Sequence, residues 1–412
     1  MRANAMDRDL SPDLLLEPSI IDDPYDFYRR LVSEAPVWHV PGTDIVIVSS
    51  WEAVTQVVNR VEDFSSNIHS ILCRSALGTP ELVPMGFGGL QALATADPPM
   101  HGAHRSTVFP ELVARRMAGL RTSIEALTEE CLTHALSKRR FEVMGDLANL
   151  IPIRVVSQLI AFRGADPAAL LAAAFDSTAM LAATLPLEGI QALMARTVDI
   201  ATWIADQLQQ SVIQGGEGIF GVIGAAVAAG EMEFDAGLVI LHTLLSAGGE
   251  STTSLLGNAI HMLALDPRLQ TRLRTEPHLV VPFIEEALRL ESPFRYHLRR
   301  ASRASEVQGV GIPAGSTLLL FWGAANRDPA EFERADDVML DRATPKHHVA
   351  FGRGIHFCVG APLARLEAEI VLTRLLAQTE HFELDPDAVP ERVDSLMVRR
   401  FDTLPLVAEL SS

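Results

Sequence analysis

Most of the chain carries apolar residues at the spacing expected for helices that bury one face. Residues 106–245 are rich in Ala and Leu and predict a largely helical region. The apolar segment 236–263 predicts one long internal helix. Two short apolar runs, 37–40 and 44–49, flank a Pro-Gly pair and predict a β-hairpin. The pattern therefore predicts a mainly α protein with small β-sheets, an α+β fold.

The organisation of the chain is uniform beyond its first residues. The sequence contains no low-complexity linker, internal repeat or sharp change in composition, so we predict a single large domain over residues 21–412. Residues 1–20 are predicted to be flexible. Residues 65–99 are rich in Gly and Pro and predict a long loop, which in a compact protein is either functional or a mobile surface segment.

Composition and charge narrow the range of functions. With 412 residues, 48% of them apolar, the chain can bury a large core. The formal net charge of -18 argues against nucleic acid or anionic membrane as a general partner. Residues 1–17 carry no signal peptide or membrane anchor, and the apolar run 236–249 is too short to span a membrane. Three cysteines fit a reducing compartment without disulfides. We therefore expect a cytoplasmic protein and a monomer.

One cysteine lies in a glycine-rich turn directly before a predicted helix. That helix begins near Pro362, because proline is favoured in the first turn. Backbone N–H groups and the helix dipole at this point favour a thiolate. A lone cysteine in a turn is more often a small apolar residue, so the argument depends on the surrounding pattern. The pattern consists of Phe351, Gly352, Gly354, His356, Cys358 and Gly360.

This pattern resembles the haem-binding loop of the cytochrome P450 monooxygenases. The resemblance implies that the Cys358 thiolate is the axial ligand of a haem b iron. It also implies the cytochrome P450 fold, a single large helical domain around the haem. Landmarks in the family's order extend over about residues 23–406, and two of the segments are similar to those of a mycobacterial group whose physiological substrate is not established. The other loop residues expected to bind the cofactor are Phe351, Gly352, His356 and Gly360.

A second match lies in the long predicted helix, in the run Ala-Gly-Gly-Glu-Ser-Thr. Two adjacent glycines inside a helix each cost about 1 kcal/mol relative to alanine, and opening of the helix beside a ligand would explain them. The run resembles the distal helix of the family, which implies that Ala247 and Gly248 line the haem face and that Glu250 is the acid of a proton relay. Ser251 is the alcohol of the relay where threonine is commoner, while Thr252 or a route through water alone are the alternatives.

Basic side chains elsewhere match the family's donors to the haem propionates. His101 and Arg105 share one helix face, and arginine offers a planar fork that suits a carboxylate. Outside this context the pair would be a solvated helix face. Arg299 best matches a second propionate arginine, with Arg300 as the alternative. His356 matches a further donor, at a position where other members of the family have arginine.

The resemblance also assigns supporting and substrate-contacting segments. Glu286 and Arg289 lie three apart on a predicted helix, and with Arg342 they would support the fold behind the haem. Three segments would contact an apolar small-molecule substrate: 65–99, 175–194 and 395–398. Packing in the core explains the apolar residues of 175–194 equally well.

The function implied is a monooxygenase that takes electrons from a ferredoxin and its reductase, because the sequence has no flavin or nucleotide fingerprint. Acidic overall, the protein needs a local basic patch for such a partner. Peroxide-driven oxygenation without redox partners and a non-catalytic haem sensor are the alternatives. A cysteine-nucleophile hydrolase is disfavoured because no histidine holds a recognisable base position. The candidate docking residues are Arg115, Arg116, Arg353 and Arg365.

Overall fold

The computed structural model describes residues 9–84 and 90–411, with the backbone alone at residues 114–118. Helices dominate the described residues, which confirms the mainly α prediction. The helices are α1 (Pro18–Asp22), α2 (Tyr25–Glu34), α3 (Trp51–Val58), α4 (Met100–Leu112), α5 (Ala114–Ser137), α6 (Leu150–Ile160), α7 (Pro167–Ala179), α8 (Leu187–Gln214), α9 (Gly218–Ala228), α10 (Phe234–Leu265), α11 (Pro267–Thr275), α12 (Val280–Leu290), α13 (Trp322–Ala325) and α14 (Ala361–Gln378).

The strands are short and form small separate sheets. They are β1 (Val37–His39), β2 (Ile45–Val48), β3 (Phe64–Ser65), β4 (Ser70–Arg74), β5 (Pro80–Pro84), β6 (Arg140–Glu142), β7 (His297–Ala301), β8 (Ser305–Val307), β9 (Val310–Ile312), β10 (Thr317–Leu320), β11 (Thr379–Leu384), β12 (Glu391–Arg392), β13 (Phe401–Thr403) and β14 (Pro405–Leu410).

The largest sheet has the strand order β1-β2-β10-β7-β3. The predicted hairpin forms its edge, because β1 pairs antiparallel with β2. β10 joins β2 in parallel, with Thr317 opposite Ile45, and pairs antiparallel with β7 on its other side. A second sheet has the order β11-β14-β6, and the described residues also form three two-stranded pairs. The largest sheet thereby places β7, with its arginines, beside the N-terminal hairpin.

Helix α10 forms the centre of the helical region. It packs against α6, α7 and α14, and Leu255, Leu256 and Ile260 on it belong to the largest buried apolar cluster. Its bounds contain the predicted segment 236–263, which confirms one long internal helix. Because α14 follows Cys358 directly, the packing of α10 on α14 brings the two motifs of the sequence to adjoining elements.

Two sequence predictions need correction. Residues 1–20 were expected to be flexible, yet Pro12–Leu16 forms a 3-10 helix whose Leu14, Leu15 and Leu16 are fully buried. These leucines pack with α2 and the largest sheet, so apolar burial orders this segment. The predicted loop 65–99 contains the β4–β5 hairpin. Two of its apolar residues, Met85 and Phe87, lie outside the described residues.

Among the described helices none is by itself long and apolar enough to cross a membrane. One bent pair, α8 with α9, meets the length and composition criteria when joined, with a bend of 65° between the two helices.

Candidate functional site

The cysteine loop is a tight turn held by its own backbone. The N–H of Cys358 donates to the carbonyl oxygen of Phe351 at 2.9 Å. Gly352 and Gly354 have φ values of 68° and 72°, which favour glycine because a Cβ is crowded there. At Gly354 a Cβ would also lie 3.2 Å from the carbonyl oxygen of Val58. These two glycines therefore allow the turn that presents the thiol.

Gly360 has a different role from the other loop glycines. Its φ of -85° is open to any residue, and it is the N-cap of α14. A Cβ at this position would lie 3.8 Å from the Cys358 sulfur. The absence of a side chain therefore leaves space beside the sulfur.

Cys358 is accessible to solvent but deeply set in the protein. Burial raises the pKa of its thiol, while the N–H groups of Gly360 and Ala361 and the charges of Arg105 and Arg365 act to lower it. These donors and cations all favour a thiolate over a thiol. The start of α14 therefore prepares this sulfur to act as an anionic ligand.

A cluster of basic side chains, here called the basic cluster, lies beside the cysteine loop. The rings of His101 and His356 are 4.2 Å apart, and Nη1 of Arg105 donates to the carbonyl oxygen of Phe357 at 2.9 Å. Burial, and then the charges of Arg299 and His101, lower the pKa of His356 to about 3. The members of the basic cluster are His101, Arg105, His297, Arg299 and His356.

The ring and guanidinium N–H groups of the basic cluster could donate hydrogen bonds to two carboxylates. The described residues do not supply these carboxylates. Nε2 of His356 is buried and has no hydrogen-bond partner among the described residues. Nη1 of Arg299 reaches only the neighbouring carbonyl oxygen of Leu298, at 2.7 Å. Asp97 is the nearby acid, but its oxygens accept from Ser65 and Ser66. An orphaned donor and arginines outside the described ion pairs fit the propionates of a haem whose iron binds Cys358.

Arg299 and Arg300, the two alternative arginines of β7, differ in their exposure. Arg299 is half-buried beside His356, and loss of solvent around its guanidinium lowers the pKa of Arg299 to about 10, whereas Arg300 is exposed. Of the two arginines, Arg299 is therefore the one that lies with the basic cluster. His297 was missed in the sequence; Nε1 of Trp322 donates to its Nδ1 at 2.5 Å. The one sequence signal for His297 is the alternation of side chains between the two faces of a strand. His297 lies two residues before Arg299 in β7 and therefore on the same face.

Helix α10 carries the predicted acid and alcohol without any break. It is helical throughout Phe234–Leu265, so the expected opening at the two glycines is wrong. A Cβ on Gly248 would lie 2.8 Å from Cγ2 of Val156, and one on Gly249 would lie 3.1 Å from Cβ of Ala174. The glycines are required because α6 and α7 approach α10 closely.

Glu250 and Ser251 have distinct partners. Glu250 is only 1% exposed; its Oε1 accepts from Nε of Arg400 at 2.7 Å and its Oε2 accepts from Oγ1 of Thr178 at 2.9 Å. Oγ of Ser251 donates to the carbonyl oxygen of Ala247 at 2.7 Å. Thr252 is buried on another face of the helix, since consecutive helical residues point about 100° apart. The hydroxyl next to the Ala247 backbone is therefore that of Ser251.

A buried ionic network lies behind the cysteine loop and confirms the predicted trio. Nε and Nη2 of Arg289 donate to the two carboxylate oxygens of Glu286 at 2.8 and 2.9 Å. Nε of Arg342 donates to the same carboxylate at 2.9 Å. Arg289 also donates to the carbonyl oxygen of Asn326. This network fixes α12 to the segment that leads to the cysteine loop.

The arginines predicted to bind a redox partner differ in exposure and in ion pairing. Arg353 is exposed, with its guanidinium over the Trp51 ring at 5.8 Å. Arg365 instead donates through Nε and Nη2 to the buried carboxylate of Glu285 at 2.7 and 2.9 Å. Its charge is largely neutralised, so it contributes less to a basic patch than expected. The side chains of Arg115 and Arg116 lie outside the described residues.

The fold and this site define a class of protein. A cysteine at the start of an internal helix, a basic cluster that lacks its own carboxylates, and a buried acid in a long neighbouring helix together define a haem-thiolate protein.

Comparison with known proteins gives the family. The chain belongs to the cytochrome P450 family: residues 228–400 match the family described as Cytochrome P450. It is 38% identical over 392 residues to Cytochrome P450 144 of Mycobacterium tuberculosis, covering 94% of this chain and 90% of the relative. It is 30% identical over 404 residues to Putative cytochrome P450 123 of the same organism, covering 96% and 97%.

The likeness extends to solved structures. The structure of CYP109E1 from Bacillus megaterium in complex with testosterone superposes with a TM-score of 0.84 at 25% identity, covering 95% of this chain and 99% of that one. Family membership confirms the cytochrome P450 fold and the similarity to mycobacterial members. The protein is therefore a monooxygenase with haem b as its cofactor, a small-molecule substrate and an external source of electrons.

Proposed function

We propose that this monooxygenase inserts one atom of O2 into an apolar small molecule with electrons from a ferredoxin. The observation that supports the site assignment most strongly is the buried, unpartnered Nε2 of His356 beside the Cys358 loop. A protein without an anionic ligand at this point would leave a buried donor unsatisfied, which is costly. The bound haem supplies the oxygen chemistry, and the polypeptide supplies binding, orientation and proton movement.

Each part of the site has a task in this reaction. Cys358 donates a thiolate to the iron, and the N–H groups of Gly360 and Ala361 stabilise its charge. His101, Arg105, Arg299 and His356 would hold the propionates of the bound haem. Ala247 would line the distal side of the bound haem, whereas the Cβ position of Gly248 faces Val156 on α6, so the lining role expected for Gly248 would be left to its backbone.

Glu250 and Ser251 are proposed to move protons on the distal side. Glu250 is a buried acid whose two oxygens already have hydrogen-bond partners. The hydroxyl of Ser251 lies one residue further, where it can hold a water after releasing the Ala247 carbonyl. Thr252 is the poorer candidate because it lies on another face of α10. A proton can thus pass from Glu250 through water to the Ser251 position.

An apolar substrate is supported by the convergence of the three predicted substrate segments. The N–H of Leu396 donates to the carbonyl oxygen of Ala182 at 2.9 Å, and the N–H of Arg74 donates to that of Leu185 at 2.8 Å. Where they meet, Ile71, Cys73 and Ile190 form a buried apolar cluster. Such a surface suits an apolar ligand. A similar structure contains the steroid testosterone, which makes steroids sensible first ligands.

A ferredoxin is supported by the surface of the cysteine loop. Ile355 and Phe357 are 38% and 40% exposed, and Arg353 is exposed beside them. Apolar residues with neighbouring arginines suit an acidic protein partner, because charge steers the encounter and apolar contact stabilises it.

We further propose a cytoplasmic location and a monomeric state. Cys73 and Cys131 are both buried free cysteines, which suits a reducing compartment. Sedimentation of the haem-loaded protein would test the monomer directly.

The experiment that tests the ferredoxin proposal reverses one charge. Arg353→Glu is expected to slow reduction of the ferric protein by reduced ferredoxin at low salt, with the difference shrinking as salt is added. Arg163→Glu is the matched control, because Arg163 is exposed on the connection between α6 and α7. Equal reduction rates in the two variants would contradict docking at Arg353, and turnover with peroxide alone would favour the peroxygenase alternative.

A further inference from the structure

The acid of α10 is bound by a cation from the far end of the chain. Nε of Arg400 donates to Oε1 of Glu250 at 2.7 Å, and both side chains are almost fully buried, at 9% and 1% exposure. The two residues are 150 positions apart. An ion pair this deeply buried requires good geometry to be stable, and removal of one partner leaves an uncompensated charge.

The surroundings of Arg400 hold its guanidinium in one place. The group lies over the Phe175 ring, with Cζ at 3.9 Å from the ring centroid. Nη1 donates to the carbonyl oxygen of Phe401 at 3.2 Å and lies 3.8 Å from Oδ1 of Asp402, whose side chain is 64% exposed. Arg400 therefore extends from a carboxylate at the surface to the buried acid of α10.

Arg400 is the charged group that the described residues place against Glu250. From α7, Thr178 supplies a hydroxyl to Oε2 at 2.9 Å. From α10 itself, the Ser254 hydroxyl donates to the backbone carbonyl oxygen of Glu250. The side chains that meet α10 from α6 near this point, Ile153 and Val156, are apolar. The charge state of Glu250 is thus set mainly by burial and by one arginine.

We propose that Arg400 is a positioning residue for proton transfer: it holds the Glu250 carboxylate in one orientation and supplies the positive charge that favours its ionised form. An ionised Glu250 accepts a proton from water on the Asp402 side and then gives the same proton to water at Ser251, which returns the carboxylate to its starting state. Arg400 stays protonated throughout. The inference rests on the proposed relay role of Glu250.

The electrostatics agree with this role. Burial is the largest influence and leaves the pKa of Glu250 above its usual value, while the charge of Arg400, followed by the hydroxyl of Thr178, offsets part of this rise. Without Arg400, only the hydroxyl groups of Thr178 and Ser254 would oppose the increase in the pKa of Glu250 that burial causes. The carboxyl should then bind its proton at higher pH, so that a smaller share of Glu250 is ionised at any given pH.

The test measures the protonation of Glu250 directly in the ferric holoenzyme. Infrared spectra across pH report the carbonyl stretch of the protonated carboxyl, which is assigned by its loss on a Glu250→Gln background. Arg400→Met keeps an apolar chain against Phe175 and removes the charge. We expect it to move the titration of Glu250 upward by roughly one pH unit or more, a tenfold change in the ionisation equilibrium.

Three further variants separate charge from packing. Arg400→Gln, also neutral, should show the same upward movement and decides the question if Arg400→Met does not fold. Arg400→Lys should return the titration toward that of the parent. Thr178→Val removes the hydrogen bond to Oε2 and leaves the charge in place, so it should move the titration less than Arg400→Gln does. Equal titrations in the parent and both neutral variants would overturn the proposal.

A second readout connects the charge to the reaction. With a ligand that supports turnover, the neutral variants should release a larger share of the reducing equivalents as peroxide, because proton delivery is less efficient. The reduced, carbon monoxide-bound spectrum of each variant should keep its thiolate signature. A parent protein that lacks this signature would refute the haem-thiolate assignment, whereas an unchanged peroxide share in the neutral variants would refute the role of Arg400 alone.

Discussion

His356 shows how a buried side chain with an unsatisfied hydrogen-bond donor can contribute to cofactor binding. Its Nε2 is buried without a partner, and positive neighbours surround its ring, which lies 4.2 Å from that of His101. A neutral imidazole with a free N–H is a good donor to a propionate, and arginine would serve in the same place.

We predict that His356→Ala weakens the hold on haem. Loss of one hydrogen bond to a charged group costs about 1.5–3 kcal/mol, so haem should leave the variant roughly 10–100 times faster. Transfer of haem to an excess of apomyoglobin measures this rate. His356→Arg should retain most of the affinity, and His134→Ala, on an exposed surface of α5, is the control. If His356→Ala and the parent lose haem at the same rate, His356 is not a propionate donor.

At the scale of elements, the contact of α10 with α6 and α7 determines where the distal side chains point. Gly248 and Gly249 allow this contact because side chains there would meet Val156 and Ala174. The sequence shows that the glycine pair is unusual, but it predicts an opening of the helix that the structure does not have. The contact that requires the glycines cannot be predicted locally, because the fold determines which helices pack against α10.

We predict that Gly248→Ala destabilises the protein by about 1–3 kcal/mol through overpacking, although alanine is the better helix former. Val156→Ala removes Cγ2, the atom that the new Cβ would approach to 2.8 Å, so the double variant should recover much of the loss. A double-mutant cycle by urea unfolding measures the coupling. Strictly additive effects would show that the glycine does not serve this contact.

Local patterns in the sequence were sufficient for the elements and the cysteine loop. The hairpin β1–β2, the long helix α10 and the trio around Glu286 all follow from motifs or periodicity. The partners of Glu250 did not, because Arg400 lies 150 positions away and no local signal marks it. The buried Pro12–Leu16 helix was also missed, since its burial depends on α2 and the largest sheet.

For the whole molecule, buried titratable groups make stability depend on pH. Burial raises the pKa of Glu285, but hydrogen bonds from His348 and Arg365 outweigh it and lower the pKa to about 2. Burial also lowers the pKa of His261 to about 4. In both cases the unfolded chain binds the proton more readily. Stability is therefore lost as pH falls, from about 6.5 to 4 for the histidine and from about 4.5 to 2 for the glutamate.

We predict that His261→Gln reduces the pH dependence of unfolding between about pH 6.5 and 4. The group is partly exposed, so its contribution should be somewhat below the limit of about 1.4 kcal/mol per pH unit for one proton. Urea unfolding at several pH values measures the slope. His278→Asn, at an exposed position, should leave it unchanged. A steeper slope, or no change, in His261→Gln would contradict the assignment of a buried neutral histidine.

The ligation of haem iron by Cys358 can be tested with one spectrum. The purified, haem-loaded protein is reduced and exposed to carbon monoxide. The long-wavelength Soret band of thiolate-bound haem is expected in the parent, and in Cys358→His it should be replaced by the shorter-wavelength band of histidine-bound haem. A parent protein that folds and binds haem but shows the histidine-type band would contradict the assignment.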